Sequence, residues 1–245
     1  MSSIHIRNIK KEDTDDGRTC LSALICENDS ERTMTFSVPS KYREFLCADR
    51  ADPFVVALLS KALKQGSNIE CEAPVSEKLL YSLNHLYFSA LTFVFHELKD
   101  SIVIAEAALP CQTNGITGLI ISGDDYDSNV LSKLDQISEY KPEILLTDGK
   151  ELSEDFFRDL DERKISVLPV THNIDKFYPL DEISTKTIRR LAPVLALQGL
   201  FGQVLYIPQF NDREFQLDKN NPDRYEALSV ECFSTDSLHL LFTPF

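Results

Sequence analysis

The run I-T-G-L-I-I, Ile116 to Ile121, constrains this chain most, because it opens directly into the polar stretch S-G-D-D-Y-D-S, Ser122 to Ser128. A short apolar run without polar alternation fits a strand buried on both faces. The residues C-terminal to the loop keep a regular rhythm. Asn129 to Tyr140 has helical spacing, Glu143 to Leu146 reads as a strand, and Ser153 to Arg163 is helical with Phe156, Phe157 and Leu160 on one face. Ile165 to Val170 is a further strand, Glu182 to Leu200 a helix and Val204 to Ile207 a strand. Repeated strand-helix-strand units with apolar strands predict a mostly parallel sheet covered by helices. Ligands of such sheets sit beyond the carboxyl ends of the strands, which is where Ser122 to Ser128 falls. Pro193 is expected to kink or restart the last long helix after Leu191.

The first part has another pattern. Ile4 to Ile9, Thr19 to Cys26 and Arg32 to Val38 are three strand-like runs separated by polar turns, which predicts an antiparallel meander. Asp52-Pro53 starts a helix, with Asp52 expected as N-cap and Pro53 at the first position, and Gly66 ends it. Ile69 to Ala73 is a strand, and Ser76 is expected to cap a long helix through Leu80, Leu83, Leu86 and Tyr87. Leu91 to Phe95 fits either the end of that helix or a strand, and Ser101 to Ala107 reads as a strand. A connector around Leu109 to Gly115 divides the chain into an α+β N-terminal domain, 1–110, and an α/β domain, 111–245.

Charge narrows the function. The formal net charge of −14 leaves no excess of Lys or Arg to neutralise phosphates along a nucleic acid, so a general nucleic-acid binder is excluded. Acidity of this size fits a solvated surface and also favours a basic partner. No apolar run is long enough to cross a bilayer, and the N-terminal M-S-S-I-H-I-R-N-I-K-K lacks a signal core. The six cysteines form no C-x-x-C pair and none has a His at metal-ligand spacing, so free thiols in a reducing cytoplasm are expected.

A phosphate loop needs inward backbone N–H groups, small residues that permit them and a helix N-terminus behind. Ser122, Gly123 and Ser128 suit that role. Asp124, Asp125 and Asp127 would repel a phosphate unless a magnesium ion or a lysine lay between. An acidic surface turn, with Asp127 or Ser128 capping the next helix, satisfies the same residues.

The second half resembles the PP-loop ATP pyrophosphatase group, whose loop reads S-G-G-x-D-S after a strand. Ser122-Gly123 and Asp127-Ser128 match its two ends; Asp124 stands where the second glycine would be, and one residue is inserted. The similarity continues through V-L-P-V-T-H-N-I-D-K-F-Y (Val167 to Tyr178), A-P-V-L-A-L-Q-G-L-F (Ala192 to Phe201) and E-C-F-S-T-D-S-L (Glu231 to Leu238). Earlier, A-D-P-F-V-V-A-L-L and I-E-C-E-A-P-V-S-E-K-L-L look like the N-terminal domain of a bacterial branch of that group. That branch is similar to the enzyme that epimerises a muramyl-dipeptide glutamate by adenylating its carboxylate. The resemblance implies a Rossmann-like (HUP) fold, ATP bound with Mg2+ and a pyrophosphate-releasing reaction. It places Ser122, Gly123, Asp124, Asp127 and Ser128 at the nucleotide, Asp127 at the metal, and Asp127, Lys186 and Arg189 in catalysis.

The chain also departs from the branch. Its helix start is S-T-K-T-I-R-R, with Lys186 near an expected His, and the sequence given ends at Phe245 where relatives continue with a basic segment. These departures lead to the expectation of a degenerate ATPase-like protein that binds or regulates another protein, a catalytic homologue or a modifying enzyme. An adenylating enzyme acting on a carboxylate of a peptide or cell-surface precursor is the alternative. His172, beside Asn173 and Asp175, fits either the same cleft or a structural role. Arg190 fits a solvated helix face, and Ser234, Thr235 and Asp236 fit a ligand-side loop or a turn equally. No G-x-S-x-G elbow is present for a serine hydrolase.

Overall fold

The structure, a computed structural model, describes residues 2–121, 134–149, 152–177, 185–208 and 226–243. Three long strands open it: β1 (Ser3–Asp13), β2 (Arg18–Glu27) and β3 (Ser30–Pro39), paired antiparallel. Their hydrophobic alternation decides which face turns inward: Ile4 and Ile6 on β1, and Met34, Phe36 and Val38 on β3, are buried. The β2–β3 hairpin turns through Asn28, whose φ of 51° is the left-handed value that a tight two-residue loop requires. A register shift between Arg7 and Lys10, with Asn8 at φ 50°, breaks β1 in its middle. Beyond it the strand's outer end, Glu12 and Asp13, is exposed.

The predicted helix after Asp52 is α1 (Asp52–Gln65), ended by Gly66 in the left-handed conformation at φ 69°. The cap itself differs from expectation. Ala51 is the N-cap, and Asp52 lies at the first helical position with its side chain turned into the core. Every residue of α1 from Asp52 to Leu63 is buried, which marks a central helix rather than a surface one.

After β4 (Asn68–Cys71) and the short β5 (Val75–Ser76), a helical run comprises α2 (Glu77–Ser82), a π-helical turn (Leu83–Tyr87) and α3 (Phe88–Val94). Leu91 to Val94 therefore belong to helix. Only two short pieces of the expected strand from Ser101 form, β6 (Val103–Ile104) and β7 (Ala107–Ala108). They join different partners: β6 pairs with β4, and β7 with β5.

The second half supplies the parallel sheet. Its strands are β8 (Ile116–Ile121), β9 (Ile144–Thr147), β10 (Ser166–Pro169), β12 (Phe201–Ile207) and β13 (His239–Phe242), in the order β10-β9-β8-β12-β13, with every pairing parallel. Both faces are covered. Ile120 packs into the larger core with Tyr206 and Leu168, whereas Leu119 and Ile121 pack with Leu134, Phe156 and Leu160 on the other side. This explains why β8 reads as an unbroken apolar run. Gly118 is required where it stands, because a Cβ there would lie 2.9 Å from the Phe201 ring and from Val204.

The helix over the second face spans Glu154–Glu162, with Ser153 as its cap accepting from the Phe156 N–H. Phe156 and Leu160 face the sheet as expected, but Phe157 is exposed, one helical step off that face. The helix Thr185–Ala196 runs through Pro193 without a break and packs against α1. Helix Glu226–Cys232 and strand β13 complete the second half and had no counterpart among the elements expected from periodicity.

β11 (Thr171–His172) ties the halves together by pairing antiparallel with β3 at the edge of the first sheet, ordered β11-β3-β2-β1-β4-β6. One hydrophobic cluster accordingly runs from Ile4 and Phe36 through α1 and Leu191 to Tyr206 and Leu240.

Candidate functional site

In the parallel sheet, the chain runs outward from β8 to β9 and β10, then returns to the other side of β8 with β12 and β13. The order reverses between β8 and β12, the position beyond whose carboxyl ends sheets of this kind hold their ligands. β8 ends at Ile121 and β12 at Ile207. Ser122, Gly123, Asp124, Asp125, Asp127 and Ser128 lie outside the described residues. Two of the candidate catalytic residues, Lys186 and Arg189, are described.

Arg189 sits beside the segment that leaves β10. Arg18 holds that segment to β3, donating to Pro169 O at 3.3 Å and to Ser37 O at 2.6 Å. Asn173 continues the pairing with its side chain: its Oδ1 accepts from Thr35 N at 2.8 Å and its Nδ2 donates to Thr33 O at 2.9 Å. A single 3-10 turn, Ile174–Lys176, then presents Asp175 to the helix Thr185–Ala196. Arg189 meets it with both arms. Its Nη2 donates to Asp175 Oδ2 at 3.1 Å, and its Nε lies 2.8 Å from Oδ1 as a charge contact without an aligned hydrogen bond. Lys186, one turn earlier on the helix, is exposed.

His172 stands edge-on to Phe36 at 6.4 Å, with Nδ1 buried and without a hydrogen-bond partner. Burial holds its pKa below the usual histidine value, and the Arg189 charge lowers it further against the pull of Asp175 and Asp148. A neutral imidazole is the form these surroundings favour.

The remaining segments of the resemblance meet elsewhere, at a buried polar node. Ala51 N donates to Pro74 O at 2.9 Å, bringing the A-D-P and A-P-V-S segments side by side. Asp52 Oδ1 accepts from Ser76 N at 2.8 Å, and its Oδ2 accepts from Ser76 Oγ at 2.5 Å and from Gln198 Nε2 at 2.6 Å. Gln198 Oε1 in turn accepts from Thr235 Oγ1 at 2.8 Å, and that hydroxyl accepts from Leu238 N at 3.1 Å. Asp52, Gln198 and Thr235 are wholly buried. Burial raises the Asp52 pKa, outweighing the bonds from Ser76 and Gln198 and the nearby Arg50 charge. A network so closed to solvent, its donors and acceptors already paired, joins chain segments and leaves no room for a substrate.

Its rim is more open. Arg50, itself buried, lies with Nη1 3.4 Å from Ser76 Oγ and Nη2 3.1 Å from Asp49 Oδ2. Nearby, the buried Cys47 thiol donates to Phe45 O at 3.7 Å, and Cys111 is half-buried. Backbone bonds fix both residues: Cys47 N donates to Ala196 O at 3.0 Å, and Cys111 N donates to Ser237 Oγ at 2.7 Å. The neighbouring Cys47 side chain lowers the Cys111 pKa, with help from Ser237 and the Arg50 charge, while burial and Asp49 oppose it. Cys47 is pushed upward, first by the neighbouring Cys111 side chain and then by burial.

Sequence reading missed both the node and the thiol pair. The signal for the node was an Asp and a Gln set inside strongly apolar helices, Asp52 in D-P-F-V-V-A-L-L and Gln198 in V-L-A-L-Q-G-L-F. No sequence signal joins Cys47 to Cys111. Among the described residues no three His, Cys, Asp or Glu side chains gather as metal ligands, and no helix is long and apolar enough to cross a membrane. No protein-family model matches the chain, and neither does a curated protein or a solved structure.

Proposed function

We propose that this chain is a degenerate PP-loop-like protein, an α+β unit followed by a Rossmann-like HUP domain, that binds or regulates another protein in the cytoplasm. The partner is a catalytic homologue or a modifying or biosynthetic enzyme. The observation that carries this reading is the Asp175–Arg189 pair. Arg189, one of the two described cations assigned to phosphate, already spends its guanidinium on a carboxylate of its own chain. A carboxylate that accepts from Nη2 and lies against Nε competes directly with a phosphate for the same guanidinium. The net charge of −14 adds the means to attract a basic partner.

A second reading has one observation in its favour. The strand order reverses beside β8, where the loop Ser122 to Ser128 begins, and a nucleotide fold places its ligand there. On that reading Gly123 amides hold phosphate, Asp127 holds Mg2+, and Lys186 and Arg189 offset charge developing on phosphate as a carboxylate is adenylated.

Calorimetric titration with ATP and Mg2+ separates the two. Weak binding or none is expected, together with recovery of a protein partner when the chain is purified from its host. Tight Mg2+-dependent binding that disappears in an Asp127→Ala, Ser128→Ala variant overturns the partner reading and restores the enzyme.

A further inference from the structure

From Leu79 to Phe95 the chain carries no Asp, Glu, Lys or Arg, although 26% of its residues are charged. This stretch falls on the helical run of α2, the π-helical turn Leu83–Tyr87 and α3. Leu79, Leu83, Tyr87, Leu91 and Phe95 are buried, whereas Tyr81, Leu86 and Phe93 are 60%, 52% and 81% exposed. A helix that is apolar all round belongs in an interior, and here one side is left bare. We propose that a second copy of this chain covers that side, the two copies packing this helical run against its own image, antiparallel about a two-fold axis.

Tyr81, His85, Ser89 and Phe93 form the exposed stripe. Steps of four residues drift about 40° each around an α-helix, and the extra residue of the π-helical turn takes back about 100° of that drift. The stripe therefore runs nearly straight for about 18 Å. The Tyr81 and His85 rings lie 4.6 Å apart on it. At the other end a shallow groove opens, lined by Ser89, Thr92, Phe93, His96 and Leu98. Strand addition is closed off beside the stripe. Asn84 Nδ2 donates to Val103 O at 2.9 Å and its Oδ1 accepts from Val103 N at 2.8 Å, which occupies the outer edge of β6. A partner must pack side chains there, and β6 offers two more, the exposed Ile102 and Ile104.

Charge, shape and area select a second copy as the occupant. Two chains at −14 repel over most of their surfaces, and on this face they meet without opposing like charges. A basic partner finds no carboxylate on the stripe, and an anionic membrane finds no Lys or Arg. Antiparallel packing lays Tyr81 of one copy on Phe93 and the groove of the other, so knob and hole belong to the same chain, as an isologous contact requires. It also sets Glu77 and Lys78 of one copy opposite Glu97 and Lys99 of the other, where each charge finds its opposite. The exposed parts of Tyr81 and Phe93 alone offer about 300 Å2, at about 200 Å2 for a whole aromatic side chain. That is roughly a third of the ~800 Å2 that each partner contributes to a standard interface.

The test is sedimentation velocity of the full chain over a concentration series. A dimer with a Kd no weaker than micromolar is expected. Phe93→Glu should raise that Kd by about 30-fold or more, the effect of a central interface residue, and Tyr81→Lys should do the same. Both side chains stand mostly in solvent, so neither change disturbs the fold of one copy, which far-UV circular dichroism checks. Phe157→Glu, at an exposed ring on the helix Glu154–Glu162, should leave the dimer as it was. Mixing the Phe93→Glu and Tyr81→Lys chains should recover a dimer. The two introduced charges, opposite in sign, then face each other across one half of the contact, and the other half is unchanged. A chain that stays monomeric at micromolar concentrations, a dimer that neither substitution weakens, or a mixture that does not recover overturns the proposal.

Discussion

Asp52 and Asp175 are both carboxylates held by other side chains: Asp52 joins α1 to Gln198, 146 positions away, whereas Asp175 joins the turn Ile174–Lys176 to Arg189, only 14 positions on. Asp52 is wholly buried and receives three hydrogen bonds from Ser76 and Gln198. The Arg189 and Asp175 side chains remain 29% and 37% exposed. In the first case water cannot replace a lost partner, so the polar groups are costly to disturb; in the second, solvent and salt take over most of the work of the pair. Similar chemistry therefore fixes the fold at one place and only biases a surface at the other.

The largest effect is expected at Asp52. An Asp52→Ala substitution leaves Ser76 N, Ser76 Oγ and Gln198 Nε2 in an apolar surround with a partner removed. At about 1–3 kcal/mol for each unsatisfied buried group, the loss should reach about 3 kcal/mol or more in urea unfolding. A loss below about 1 kcal/mol would mean the node is solvated, and the contrast with Asp175 would collapse. Gln198→Leu comes next, at about 1–3 kcal/mol, because it keeps the volume while stripping partners from Asp52 and Thr235. A cycle with Thr235→Val should show non-additive losses, since both changes remove the same bond. Additive losses would break the node into independent pairs.

His172 lies between the two regimes, since it is partly buried but beside the open pair. Its folded pKa is depressed below 6.5 by burial, so the folded chain holds fewer protons than the unfolded chain just below that value. Stability from this group is thus fully present above 6.5 and lost as pH falls toward the depressed folded value. Unfolding free energies measured at about pH 7.5 and about pH 5.5 should differ less in His172→Phe than in the unmodified chain. An equal difference would remove His172 from the pH response.

How far the sequence spoke depended on whether a signal was local. The β8 run, the hairpin at Asn28 and the Gly66 helix end are written in consecutive residues, and all three were legible. Ser101 to Ala107 failed because short strands are decided by whichever edge is free to pair, here β4 for β6 and β5 for β7. Asp52 was misread because an Asp before Pro usually caps a helix, whereas here Ser76 and Gln198, 24 and 146 positions away, claim its carboxylate. The partnership of Arg189 with Asp175, 14 positions apart, was hidden because it depends on how the turn Ile174–Lys176 meets the helix Thr185–Ala196.

The smallest effect is expected at that pair, and it bears most on function. Asp175→Asn should cost no more than about 1 kcal/mol, because exposed pairs are screened and their side chains lose entropy when held. It also releases the Arg189 guanidinium while preserving the shape of the turn. Calorimetry with ATP and Mg2+ should show no gain over the unmodified chain if the loop has lost its ligand. Should Asp175→Asn acquire Mg2+-dependent ATP binding that Arg189→Ala then removes, the carboxylate would be a lock on a working site. Arg189 would then pass from a surface tie to a phosphate-binding group held in reserve.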